Sequence, residues 1–145
     1  MDRLKKGANR VMFFSDNTLV INEFEEIVKK RNPKNEFIRI DNILNITDHL
    51  NDSSYSKPDI IIMDIQLENI IVFNIVNRIK NSIFKYIPLL LIKKESDENT
   101  ILQFYYSYVN CFIMKPDESG KIFEILKSID EFWLEVVNLP QIHTN

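Results

Sequence analysis

Glycine is nearly absent from this chain, with Gly7 and Gly120 the only two in 145 residues. A loop that cradles phosphate on backbone amides needs several glycines in close register, so a Gly-rich nucleotide site is excluded. Cysteine occurs once, at Cys111, and histidine only at 49 and 143. An intrachain disulfide is therefore impossible, a structural zinc site is not expected, and Cys111 reads as a core thiol. There is no long basic run, because 18 Lys and Arg are interspersed with 21 Asp and Glu for a net charge of -3. Nucleic acid is not an expected partner. Apolar runs fall far short of the roughly 20 residues that span a bilayer, and the opening MDRLKKGANR lacks the apolar stretch of a signal peptide. No membrane attachment is expected, and the expected location is cytoplasmic.

What the chain does have is ordinary for one compact domain: 45% hydrophobic and 27% charged residues. Residues 1–145 are read as a single domain, with a core over about 9–137 and loosely held ends. Five short apolar runs recur, Val11 to Phe14, Phe37 to Ile40, Ile60 to Met63, Leu89 to Ile92 and Cys111 to Met114. Runs without alternation suit parallel strands buried on both faces. Helical periodicity lies between them. Val20, Ile21, Phe24, Ile27 and Val28 share one face, as do Val72, Ile75, Val76 and Ile79; a last stripe takes in Ile122, Ile125, Leu126, Ile129, Phe132, Trp133 and Val136. Weaker helices are expected over 43–52 and 97–107. Alternating strand and helix with right-handed crossovers gives an α/β fold, a doubly wound five-stranded parallel sheet with five helices.

In such a sheet the functional crevice lies outside the carboxyl ends of the strands. Asp64 ends the third run, Ser15 and Asp16 follow the first, Lys93 the fourth, and Lys115 with Pro116 the fifth. With strand order 2-1-3-4-5, Asp16 and Asp64 face one another across the switch point. Their repulsion calls for a cation, either a lysine or a hard metal such as Mg²⁺. Each residue also has a plain structural reading. Asp64 also fits a plain cap on the next turn, Asp16 also fits a plain N-cap of the helix that follows, and Lys93 is as readily a solvated loop residue as a partner for Asp64 or Asp16.

The motifs FSDN at 14–17, PDIIIMD at 58–64, IPLLLI at 87–92 and CFIMKP at 111–116 resemble, in order and spacing, the CheY-like (flavodoxin-like) receiver domain of two-component response regulators. The closing IDEFWLEVVNLP, 129–140, resembles the single-domain branch that includes the phytochrome-associated regulators. The resemblance implies that Asp64 is the phosphoacceptor and that Asp16, Asp64 and the backbone carbonyl of Gln66 hold Mg²⁺. It also implies that Lys115 binds the phosphoryl group, across a cis peptide to Pro116. The implied protein is not an enzyme but a stand-alone signalling module. It receives a phosphoryl group from a sensor histidine kinase or phosphotransfer protein and signals through the face of helix four, strand five and helix five.

Several positions depart from the family's pattern. Lys93 replaces the hydroxyl residue of strand four, Ser15 replaces the first acid, and Phe112, at the switch aromatic, has no hydroxyl. Glu68, Asn69 and Val72 replace a Pro-Gly and a later Gly, and Tyr108 and Val109 replace a small pair, which disfavours positive φ. The competing reading is a pseudo-receiver that binds or dimerises without phosphorylation. Eight of the sixteen aromatics lie between 104 and 133. From them, Tyr105, Tyr106, Tyr108, Phe123 and Trp133, with Val137, form the expected outward strip of a homodimer. A flavin-binding reading is disfavoured, because SDNT at 15–18 puts an acid where the anionic phosphate would sit.

Overall fold

A computed structural model describes residues 7–118 and 120–140. Five strands, β1 (Arg10–Ser15), β2 (Glu36–Arg39), β3 (Ile60–Asp64), β4 (Leu89–Lys93) and β5 (Cys111–Met114), form one parallel sheet in the order β2-β1-β3-β4-β5. Between them run α1 (Thr18–Arg31), α2 (Ile46–Asn51) after a 3-10 turn, α3 (Asn69–Lys80), α4 (Glu98–Tyr106) and α5 (Lys121–Ile129).

Alternate residues of each central strand point to opposite sides, which is why these strands read as unbroken apolar runs. Met12, Ile61, Met63, Leu89 and Leu91 join Leu50, Val72, Val76, Ile79 and Phe104 in a core under α2, α3 and α4. Val11, Phe13, Ile60, Ile62, Leu90 and Ile92 join Val20, Phe24, Val28, Leu126 and Ile129 under α1 and α5. Burial on both faces holds for β1, β3 and β4. β2 and β5 are only partly buried, because each is a sheet edge with no outer neighbour.

The chain ends are better anchored than expected where they are described. The Asn9 amide donates to Asn35 Oδ1 at 2.8 Å, and Asn9 and Leu139 are both buried. The rest of that expectation, residues 1–6 and 141–145, lies outside the described residues.

The end of the last helix departs from the expected stripe. After Ile129 the backbone winds as a π-helix over Asp130–Val136. The wider turn breaks the 3.6-residue phase. Leu134 and Asp130 turn inward, while Phe132 and Val136, assigned to the core by periodicity, are 54% and 59% exposed.

Tyr108 also breaks an expectation, with φ at +72°. It follows α4 in a Schellman arrangement: the Val109 amide donates to the Phe104 carbonyl at 3.1 Å and the Tyr108 amide to the Tyr105 carbonyl at 3.0 Å. Glycine normally fills this left-handed position, and a side chain there costs roughly 1–2 kcal/mol. The two amide bonds and the burial of Val109 beside Phe104 offset it.

Candidate functional site

The β1–β3 register sets Ser15 beside Asp64, and the β3–β4 register sets Asp64 beside Ile92. Asp64 thus ends a central strand at the point where the winding of the sheet reverses. It is 1% exposed, so its charge must be met by protein groups. Lys115 Nζ donates to both carboxylate oxygens, at 3.0 Å to Oδ1 and 2.9 Å to Oδ2. Ser15 Oγ donates to Oδ2 at 2.7 Å, and Gln66 Nε2 to Oδ1 at 3.0 Å. Each oxygen therefore accepts two bonds. The Ser15 hydroxyl is aimed by the Asn17 amide, which donates to it at 3.1 Å and so leaves its proton for Asp64.

Four expectations about this rim change. The group facing Asp64 across the switch point is Ser15; Asp16 lies one residue further out, exposed, with no hydrogen bond or ion pair to any described residue. Asp16 is not a helix cap either, since Asn17 Oδ1 accepts the Leu19 amide at 2.9 Å and caps α1. Lys93 is neither a solvated loop residue nor an ion-pair partner of Asp64 or Asp16. It is the last residue of β4 and 5% exposed, and its ammonium donates to the Leu67 carbonyl at 2.9 Å. Burial lowers its pKa from the ordinary lysine value. The Lys115–Pro116 peptide is trans, as is every peptide among the described residues. Trans is the more stable isomer before proline by about 0.5–1 kcal/mol, and the rim is assembled without the cis form.

The side chain of Gln66 was not anticipated, since the sequence reading used only its carbonyl. It ties Asp64 to the next loop, Oε1 accepting from the Lys94 amide at 3.0 Å. Among the described residues no cluster of three or more His, Cys, Asp or Glu is able to hold a metal. A cation here would rest on Asp64, Asp16, a carbonyl and water. That is a donor set Mg²⁺ accepts, since it takes one or two carboxylates and keeps several waters.

No protein-family model matches the chain. Response regulator Rcp1 of Synechocystis sp. is 29% identical over 85 residues, and the match spans 58% of this chain and 58% of that relative. The phosphorylated cyanobacterial phytochrome response regulator RcpA superposes with a TM-score of 0.81 at 25% identity, over 93% of this chain and 100% of that one. The chain resembles response-regulator receiver domains in sequence and shares their fold. The Mn(2+)-bound form of Rcp1 shares the receiver's fold with a TM-score of 0.81 at 22% identity, over 92% and 99% of the two chains. A receiver domain from Rhodospirillum rubrum shares it with a TM-score of 0.74 at 15% identity, over 90% and 96%.

Phe112 stacks on Phe104 at 5.7 Å, and Phe104 stacks on Phe73 at 4.0 Å. Its amide donates to the Tyr105 hydroxyl at 3.0 Å, which covers one donor of the β5 edge. Tyr105, Tyr106 and Tyr108 are exposed as expected. Phe123, Trp133 and Val137 are instead half-buried against the α1/α5 core, so the outward residues at that end of the domain are Phe132 and Val136. Cys111 is half-buried, and burial pushes its thiol pKa up, which disfavours the thiolate. No helix among the described residues is long and apolar enough to cross a membrane.

Proposed function

We propose that the receiver accepts a phosphoryl group on Asp64 from a sensor histidine kinase or phosphotransfer protein. The observation that carries this reading is the Lys115 ammonium astride both oxygens of a buried carboxylate at the switch point. One Asp64 oxygen bonds to phosphorus as the donor's phosphorus–nitrogen bond breaks, and the electron pair leaves on the donor imidazole. Catalysis of this transfer is positioning and charge neutralisation. Lys115 meets the incoming phosphoryl oxygens, and Ser15 orients the attacking carboxylate. Mg²⁺, when bound through Asp64, Asp16 and the Gln66 carbonyl, would supply the remaining positive charge. The exposed Asp16, relieved of capping by Asn17, supports that role.

The test is fluorine NMR with Mg²⁺ and beryllofluoride, which mimics a phosphoryl group on aspartate. A bound signal that requires Mg²⁺ and disappears in Asp64→Asn is expected. No signal from the folded protein at high Mg²⁺ would leave the pseudo-receiver reading. One observation favours that second reading: both oxygens of Asp64 are already saturated by protein donors.

The output surface we assign to α4, β5 and α5, with a second copy of the chain as its occupant. Tyr106 and Tyr108 are 73% and 72% exposed there, and aromatics are enriched at interfaces. Sedimentation equilibrium is expected to give a dimer mass for wild type and a monomer mass for Tyr106→Asp; a dimer mass unchanged by the substitution would move the interface elsewhere.

A further inference from the structure

We propose that the Gln66 carboxamide is a positioning residue that couples the state of Asp64 to the segment after β4. Its orientation is forced. Nε2 faces a carboxylate, which only accepts, and Oε1 faces the Lys94 amide, which only donates; a flipped amide would put like against like at both ends. The side chain is thus a bridge with Asp64 at one end and the backbone of the β4–α4 connection at the other. A second tie runs the opposite way, from the Lys93 ammonium to the Leu67 carbonyl. The two loops are clasped reciprocally, but only the Gln66 strand of the clasp contains the acid.

The consequence is directional. Oδ1 of Asp64 holds Gln66 with the strength of a bond to an ionised acceptor. Once an Asp64 oxygen carries a phosphoryl group as an acyl phosphate, the negative charge moves outward onto the new oxygens. Gln66 then either follows it or loses its anchor, and in both cases the carboxamide no longer holds its Oε1 fixed against the Lys94 amide. The Lys93 tie does not depend on Asp64 and keeps β4 in place, so the change is delivered to Lys94 and the residues leading into α4. Position 93 offers no hydroxyl for this task, and its ammonium is committed to Leu67. In its phosphoryl arm this inference rests on the acceptor reading of Asp64; the bridge itself does not.

Amide hydrogen exchange at Lys94 in the full chain tests it without phosphorylation. Gln66→Met removes both bonds at similar volume and is expected to speed exchange about tenfold, the loss of one net hydrogen bond. Asp64→Ala is expected to produce a similar acceleration, and the double variant no more than either single one. Should Asp64→Ala fail to fold, Asp64→Leu with Lys115→Met leaves no unpaired charge and serves instead. Wild-type exchange at Lys94 in the Asp64 variant, or additive effects in the double, overturns the proposal. Beryllofluoride with Mg²⁺ separates the two readings. If the fluorine signal is absent the acceptor role falls, and the exchange result alone decides the bridge. If the signal is present in both wild type and Gln66→Met, the Lys94 amide resonance should move on binding only in wild type. An equal movement in the variant overturns the coupling while sparing the acceptor.

Discussion

Lys115→Met is expected to lower stability by about 3 kcal/mol at neutral pH, because it leaves the Asp64 charge buried without its counter-ion. The asymmetry of the pair is what makes the cost large. Asp64 is 1% exposed and Lys115 16%, so water cannot replace the ammonium, and Ser15 and Gln66 supply only neutral donors. Adding Asp64→Asn should recover most of the loss, since the amide carries no charge to strand. Urea unfolding of wild type, both single variants and the double measures this as a coupling energy. If the two substitutions simply add, the lysine does not neutralise the acid and Lys115 must be read as a solvated residue. The same cycle separates structure from signalling. Lys115→Met with Asp64→Asn should fold well yet bind no beryllofluoride.

The parts of the molecule legible in its sequence are those set by short-range periodicity. Val72, Ile75, Val76 and Ile79 announce α3 because burial selects one face of a regular helix, and Ile60 to Met63 announce a central strand because both of its faces are covered. Position along the strands then placed Asp64, Ser15 and Lys115 on one rim. What the sequence hid depends on where side chains reach. Lys93 is a base at a rim position, and only the three-dimensional path of its stem shows that it ends on the Leu67 carbonyl. Gln66 and Ser15 are polar residues in a loop and at a strand end, and nothing in their spacing reveals that both donate to the same carboxylate. The cis peptide failed for a different reason. It came from a resemblance, and the X-Pro bond is close enough to balanced that sequence does not choose the isomer. The outward strip failed at Trp133 and Val137 because a π-turn, unlike an α-turn, has no periodic signature; one widened turn moved Phe132 and Val136 out and Leu134 in, while Phe123 lies before that turn and packs against the α1/α5 core.

That π-turn is held by an ion pair whose removal should have the second large effect. Arg31, at the end of α1, donates from Nε to Asp130 Oδ2 at 2.7 Å and from Nη1 to Glu135 at 3.0 Å, spanning the start and end of the π segment. Glu135 is half exposed and adds little. Asp130 is different: its side chain is 7% exposed and its Oδ1 has no hydrogen-bond partner among the described residues. Burial raises the Asp130 pKa above its ordinary value, and Arg31 opposes that rise. Arg31→Met removes the opposition and is expected to cost about 3 kcal/mol at pH 7. The pH dependence follows from the sign of the shift. With the folded pKa above the unfolded one, the folded state binds more protons in the window between them, so stability falls as pH rises through it. The charge penalty is complete above that window and relieved below the ordinary carboxylate range, near pH 4. The variant should therefore approach wild type as pH falls from 7 toward about 4.5, while Arg31→Met with Asp130→Asn should show a flatter profile. Urea midpoints at those two pH values decide the matter. An equal deficit at both would mean that Arg31 acts through its packed stem and not through the carboxylate beneath it.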